Sequence, residues 1–199
     1  MKRMFPTLCV LALASVSFAR LDAGTLDDIL PRLPESDLRA FERVLERKLD
    51  ATTRRKILAR AGDNAALGEL GFRDLVLDRK NGYLSFETQT DGEGARLSLT
   101  YWREKKGELI LVGLAVDYWT VAWTVTDVIR FYAWDGAALA DVTATHIGGL
   151  TPETFAPMGA DAEDLAIPKD RSWRWILPRQ GVSITVTHPE IRVESVAAK

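Results

Sequence analysis

Leu97-Ser98-Leu99-Thr100-Tyr101-Trp102, the apolar run Leu109 to Val116, the alternating Trp119 to Thr126 and the segment Val128 to Trp134 together decide the fold. Leu97, Leu99 and Tyr101 alternate with Ser98, Thr100 and Trp102, the period of a strand. Lys105-Lys106-Gly107 turns the chain, and the unbroken run from Leu109 predicts a central strand covered on both faces. Trp119, Val121, Trp123 and Val125 then alternate with Thr120, Ala122, Thr124 and Thr126. Val128 to Trp134 supplies a further strand, turned at Asp135-Gly136 and returned over Leu139 to Thr143. Connections this short impose antiparallel pairing, because a parallel pair needs a crossover of about a dozen residues.

Working outward, Phe72 to Leu77 and Tyr83 to Thr88 flank Asn81-Gly82, a hairpin signal whose two central residues need positive φ. Asp91-Gly92-Glu93-Gly94 marks the next turn. Downstream the pattern fails between Thr145 and Arg171, where Gly148, Gly149, Pro152, Pro157, Gly159 and Pro168 predict a long loop. A final hairpin, Trp173 to Leu177 and Val182 to Thr187, closes around Pro178-Arg179-Gln180-Gly181. Upstream the period is helical. Thr25 to Leu30 is stopped by Pro31 and Pro34. From Ser36, read as an N-cap, Leu38, Phe41, Val44, Leu45 and Leu49 form one face, with Arg39, Glu42, Arg43, Glu46 and Arg47 opposite. A further helix over Thr52 to Ala61 stops at Gly62, with Arg54-Arg55-Lys56 as its solvated side. The expected fold is α+β with β dominant, a single domain over residues 20–199. Amphipathic helices occupy 20–62, and a curled antiparallel meander of seven to nine strands occupies 72–188, with its long loop at 145–171.

Four segments occur in order: Asn81-Gly82-Tyr83-Leu84, Leu99-Thr100-Tyr101-Trp102, Phe131-Tyr132-Ala133-Trp134-Asp135-Gly136 and Leu177-Pro178-Arg179-Gln180-Gly181. In them the chain resembles uncharacterised exported bacterial β-meander proteins with "TYW…KKG" and "FY.WDG" hairpins, over roughly residues 70 to 190. The resemblance implies a bacterial envelope setting and no known activity, and it carries no functional residues across.

The N-terminus supports export independently. Lys2 and Arg3 precede the apolar stretch Phe5 to Phe18, which ends in Ser17-Phe18-Ala19, the small-x-small pattern read by signal peptidase. Residues 1–19 are expected to be a signal peptide, giving a periplasmic or secreted protein. The stretch is too short for a membrane helix, which takes about 20 residues, and no later segment is apolar enough, so no membrane span is expected after signal removal. Cys9 is the only cysteine and lies inside the stretch, so the mature chain is expected to be cysteine-free, without disulfides or thiolate metal sites. A mature balance of 24 basic against 28 acidic residues argues against a nucleic-acid partner.

Catalytic motifs are scarce. His146 and His188 lack a Gly-x-Ser-x-Gly elbow and any His-Glu-x-x-His spacing. Asp161, Glu163 and Asp164 lack the order of a calcium loop. No catalytic residue, cofactor or metal site is assigned. Asp117 and Asp127, bracketing a strand, are the carboxylates to watch for paired-acid chemistry. The six tryptophans all fall on expected strands or their ends. Trp119 and Trp123 are expected to share one face, as are Trp173 and Trp175. A row of aromatics grips a ligand or anchors a partner, so Tyr118, Trp119, Trp123, Trp173 and Trp175 are the candidate binding residues; alternatively the tryptophans fill the core. The function expected is a non-catalytic exported binding protein of the envelope, for a protein partner or a small ligand. The alternatives are a hydrolase whose acids converge only in the fold, and a structural or assembly protein of the envelope.

Overall fold

The computed structural model describes residues 25–103, 110–147 and 174–187. The expected signal peptide, Cys9, the turn at Lys105-Lys106-Gly107, Asp161, Glu163, Asp164, Trp173, His188 and residues 148–171 of the expected loop lie outside the described residues.

Six strands follow one another in space as in sequence: β1 (Arg73–Asp78), β2 (Tyr83–Thr90), β3 (Glu93–Arg103), β4 (Ile110–Thr120), β5 (Thr124–Trp134) and β6 (Leu139–Asp141). All neighbours pair antiparallel. Two further strands, β7 (Arg174–Ile176) and β8 (Thr185–Thr187), pair only with each other. The expected curled meander is therefore corrected. The main sheet is open rather than curled, with β1 and β6 as its edges, and the last hairpin is a separate two-stranded sheet. The physical reason is that each face has its own cover, helices on one side and the hairpin on the other, so the sheet buries both faces without wrapping on itself.

Strand alternation sorts the residues onto those faces. Leu84, Phe86, Leu97, Leu99, Tyr101, Val112, Leu114, Val116 and Tyr132 point to the helices and are almost wholly buried. Trp102, Ala115 and Phe131 point the other way and meet Leu177 of the hairpin. Residues Val112–Tyr118 are buried without interruption, because β4 is central and covered twice.

The helical layer comprises α1 (Thr25–Ile29), α2 (Arg39–Leu45), α3 (Ala51–Ala59) and α4 (Asn64–Glu69), with 3₁₀ turns at Leu30–Arg32 and Glu35–Leu38. Phe41 of α2 packs edge-on to Phe86 of β2 at 5.3 Å, and Phe72 closes the trio at 5.5 Å from Phe86. Four expectations change here. Ser36 makes no cap; its segment is a 3₁₀ turn and its hydroxyl meets Asp37. The helix from Arg39 ends at Leu45, because Glu46 takes φ +55, and the buried Leu49 follows in a turn whose N–H donates to Glu42 Oε1 at 2.8 Å. Arg54 is not solvated with its neighbours. Its Nη1 donates to the carbonyls of Leu30 (3.2 Å) and Leu33 (2.6 Å), where the first turns end. Finally α4, capped by Asp63 accepting from Ala66 N at 3.0 Å, extends the helical region past Gly62.

Turns also depart from expectation. Asn81 and Gly82 close a four-residue loop between Asp78 and Tyr83, in which only Gly82 has positive φ (+67). Asp78 shapes that loop by accepting from Asn81 N and Nδ2. Thr143–Ile147 form a short helix, α5, where the loop was expected to have begun. The expectation of a cysteine-free mature chain rested on cleavage after Ala19; the chain as it stands carries one cysteine, Cys9, and is not cysteine-free. Among the described residues no helix is long and apolar enough to cross a membrane.

Candidate functional site

The hairpin face of the main sheet carries a row of paired charges that runs across five strands. Strand register builds it: Arg73 of β1 stands opposite Glu87 of β2, Glu87 opposite Arg96 of β3, Arg96 opposite Asp117 of β4, and Asp117 opposite Thr126 of β5. Side chains directly opposite across strands come within contact, so five strands present one row of alternating charge ending in a hydroxyl. Arg96 donates from Nε (2.6 Å) and Nη2 to Glu87 Oε1. Arg73 Nη2 lies 3.6 Å from Glu87 Oε2, and its Nε is 3.6 Å from the exposed Asp74.

Asp117 is the best-buried acid of the row. Thr126 Oγ1 donates to its Oδ1 at 2.6 Å, and the same hydroxyl accepts from Trp175 N at 2.8 Å. Arg174 Nε of β7 sits 3.6 Å from Asp117 Oδ2. Burial pushes the Asp117 carboxyl above its ordinary range; the Thr126 hydrogen bond and the charges of Arg174 and Arg96 pull the other way and only partly offset it. One carboxylate thus ties the hairpin to the main sheet.

Along the same face, the next cross-strand row is small: Ser85, Ser98 and Ala115, in register on β2, β3 and β4. Ser85 and Ser98 are only 7 % and 8 % exposed, and neither hydroxyl has a hydrogen-bond partner among the described residues. Beyond them the hairpin crosses the sheet. Thr100 Oγ1 donates to Pro178 O (3.3 Å), Trp102 Nε1 to Gly181 O (2.9 Å), and Arg179 Nε to Asp78 Oδ2 (2.8 Å). Trp102 also lies over Gly113, where a Cβ would meet its ring at 3.2 Å. The small side chains of Ser85, Ser98 and Ala115, between the long ones of the charged row on one side and Leu177 and Pro178 on the other, make a low row, or trough, on this face.

The sequence candidates divide. Trp119 lies on this face, two residues beyond Asp117, with its ring over Gly94. Trp175 belongs to the hairpin and joins the row through Thr126. Tyr118 points to the helical face, where Arg43 stacks on it at 4.6 Å. Trp123 does not share a face with Trp119. β4 ends at Thr120, Thr120 N donates to Trp123 O at 2.9 Å across the turn, and the Trp123 ring meets Tyr118 at 5.3 Å. Trp173 lies outside the described residues. Asp127 is the extra residue of a β-bulge, since Asp117 pairs with Thr126 and Val116 with Val128; its side chain is exposed. His146 of α5 sits against Phe131 at 5.8 Å. Phe131 opposes Gly113, four residues along β4 from Asp117, or about 13 Å. The structure brings neither Asp127 nor His146 to Asp117. Among the described residues no three side chains gather that could hold a metal ion.

Sequence reading missed Glu87, Arg96, Arg174, Ser85 and Ser98, although a signal existed for four of them. Glu87 and Arg96 lie four residues either side of Asp91-Gly92, and Arg96 and Asp117 ten residues either side of Lys106-Gly107, so the turns alone place them opposite one another. The same counting about Asp91-Gly92 pairs Ser85 with Ser98. Arg174 had no such signal, because its approach to Asp117 depends on the hairpin folding over the sheet. The chain matches no family model, no curated protein and no solved structure.

Proposed function

We propose that this chain is an exported, non-catalytic binding protein that holds a small ligand on the hairpin face of its main sheet. The observation that carries the reading is the pair Ser85 and Ser98, in register on neighbouring strands, more than nine-tenths buried, and with no hydroxyl hydrogen bond among the described residues. Neither hydroxyl is among the fully enclosed side-chain atoms left without a partner, so both stay within reach of water, and a ligand lying in the trough exchanges that water for an acceptor or donor of its own. Trp119, Trp175 and the charged row border the same trough, giving the mixture of aromatic and convergent polar groups common to ligand sites. Native mass spectrometry of the protein purified gently from its own cells tests this. The expected spectrum shows an added small-molecule mass, lost when Ser98→Leu fills the trough; a bare chain from the native source overturns the reading.

A protein partner is the second reading, favoured by the β4–β5 hairpin tip, where Val121 is 92 % and Trp123 51 % exposed. Two neighbouring apolar side chains in water are a common mark of a contact surface. Co-purification of a second polypeptide that is lost in Val121→Asp supports it, and retention of that polypeptide by the variant removes it.

A further inference from the structure

The charged row is layered in depth. Its acids lie behind and its arginines in front: Glu87 and Asp117 side chains are 9 % and 7 % exposed, those of Arg96 and Arg174 39 % and 36 %. A molecule approaching the trough therefore meets guanidinium groups, while each carboxylate serves to orient the arginine before it. A guanidinium carries five N–H donors in a planar fork. Glu87 takes Arg96 through Nε and Nη2, which leaves Nη1 with no hydrogen-bond partner among the described residues. Arg174 Nε is buried and faces Asp117 Oδ2 at 3.6 Å, so the acid orients this guanidinium too. Arg73, at the sheet edge, shares its charge between Glu87 and the exposed Asp74, so the central pair is the stronger attractor.

We propose that Arg96 and Arg174 form an anion subsite that takes the carboxylate or phosphate group of a small ligand, whose polar remainder reaches Ser98 and Ser85. The proposal rests on the reading of this face as a binding surface and adds the class of ligand. Geometry sets the ligand's length. Ser98 follows Arg96 by two residues on the same face of β3, and Ser85 precedes Glu87 by two on β2, so the two rows spring from backbone positions about 7 Å apart. A compact acid that carries a hydroxyl, carbonyl or amide group beside its charge addresses both rows. Arginine suits the charged end because its fork matches carboxylate and phosphate oxygens in pairs. Held by buried acids, it enters the complex with little rotamer entropy left to lose.

The test is a titration of the full ¹⁵N-labelled chain with inorganic phosphate and with acetate at constant ionic strength, following Arg Nε–Hε resonances and backbone amides. Saturable shifts at Arg96 and Arg174 with either anion are expected, and the better anion tells phosphate from carboxylate. Arg96→Gln should weaken binding at least tenfold, whereas Arg39→Gln, exposed in the helical layer, should leave it unchanged. Because Arg96→Gln leaves Glu87 buried without its partner, the double variant Glu87→Gln/Arg96→Gln is measured beside it and should lose binding equally while staying folded. Glycerol 3-phosphate should bind more tightly than phosphate and shift the Ser98 amide, an advantage removed by Ser98→Ala. Equal, non-saturating shifts at Arg39 and Arg55 would mean surface condensation and overturn the subsite. A natively captured ligand without an acidic group would overturn it too, while leaving the binding function in place.

Discussion

At the residue scale, Asp117 sets a cost against a tether. Removing a carboxylate from water favours its neutral form, while a hydroxyl donor and two guanidiniums favour the charged one; burial is the largest influence, and the pKa rises above 3.8. Carboxyl ¹³C chemical shifts followed with pH should place its midpoint above that value, and a midpoint at or below it would contradict the balance described. The sign for stability follows. The native state binds this proton more tightly than the unfolded chain, so Asp117's contribution falls as pH rises from about 3.8 through the raised midpoint, then levels off. Asp117→Asn should flatten that part of the stability–pH profile in urea titrations. Gly94 poses a steric question on the same face. A Cβ there would lie 2.1 Å from Cε2 of Trp119, so Gly94→Ala must displace the indole, and a loss of about 1–3 kcal/mol is expected. If the variant melts like the parent, Trp119 is not seated on that strand.

At the element scale, the β7–β8 hairpin is held by few but varied contacts: Leu177 among Trp102, Ala115 and Phe131, four hydrogen bonds to the sheet, and the Arg174–Asp117 ion pair. Leu177 is its only wholly apolar anchor among the described residues that is itself buried. Leu177→Ala should cost about 2–5 kcal/mol if the hairpin unfolds together with the sheet; a much smaller loss would show a hairpin that opens on its own. These contacts mark the limit of what sequence made legible. Strands, turns and their order were readable because period two and Gly-containing turns are local signals; the turns also held the register that sets Glu87, Arg96 and Asp117 in one row, but Glu87 and Arg96 were not picked out from it. The breaks in the helical layer were not. Glu46 in a left-handed conformation looks like any helix former, and Arg54 looks solvated until Leu30 and Leu33 place two carbonyls beside it. Trp123 was misread for a related reason: Thr120 to Trp123 alternates like a strand, yet the chain reverses there through hydrogen bonds that no periodicity records.

At the scale of the whole molecule, two covers of unequal strength lie on one sheet. The helical side buries Phe41, Phe72, Phe86 and a continuous set of leucines, whereas the hairpin side buries Trp102, Ala115, Phe131 and Leu177 over a largely polar floor. Local opening is governed by apolar burial and by how many backbone hydrogen bonds must break together. β3, β4 and β5 have eleven residues each and lie between two partners, while β6, β7 and β8 have three. Native-state hydrogen exchange should therefore show two tiers. Amides of Leu97–Tyr101 and Val112–Val116 should exchange only on global unfolding, with the slope against urea of the whole molecule. Those of the β7–β8 pair should exchange through a smaller opening with a shallower slope. If both sets shared one free energy and one slope, the hairpin would be an integral part of the core and the two-cover description would fail. A separate hairpin tier would place the least firmly held element of the described chain beside the serine row, with Asp117 as the residue whose ionisation sets how firmly it stays down.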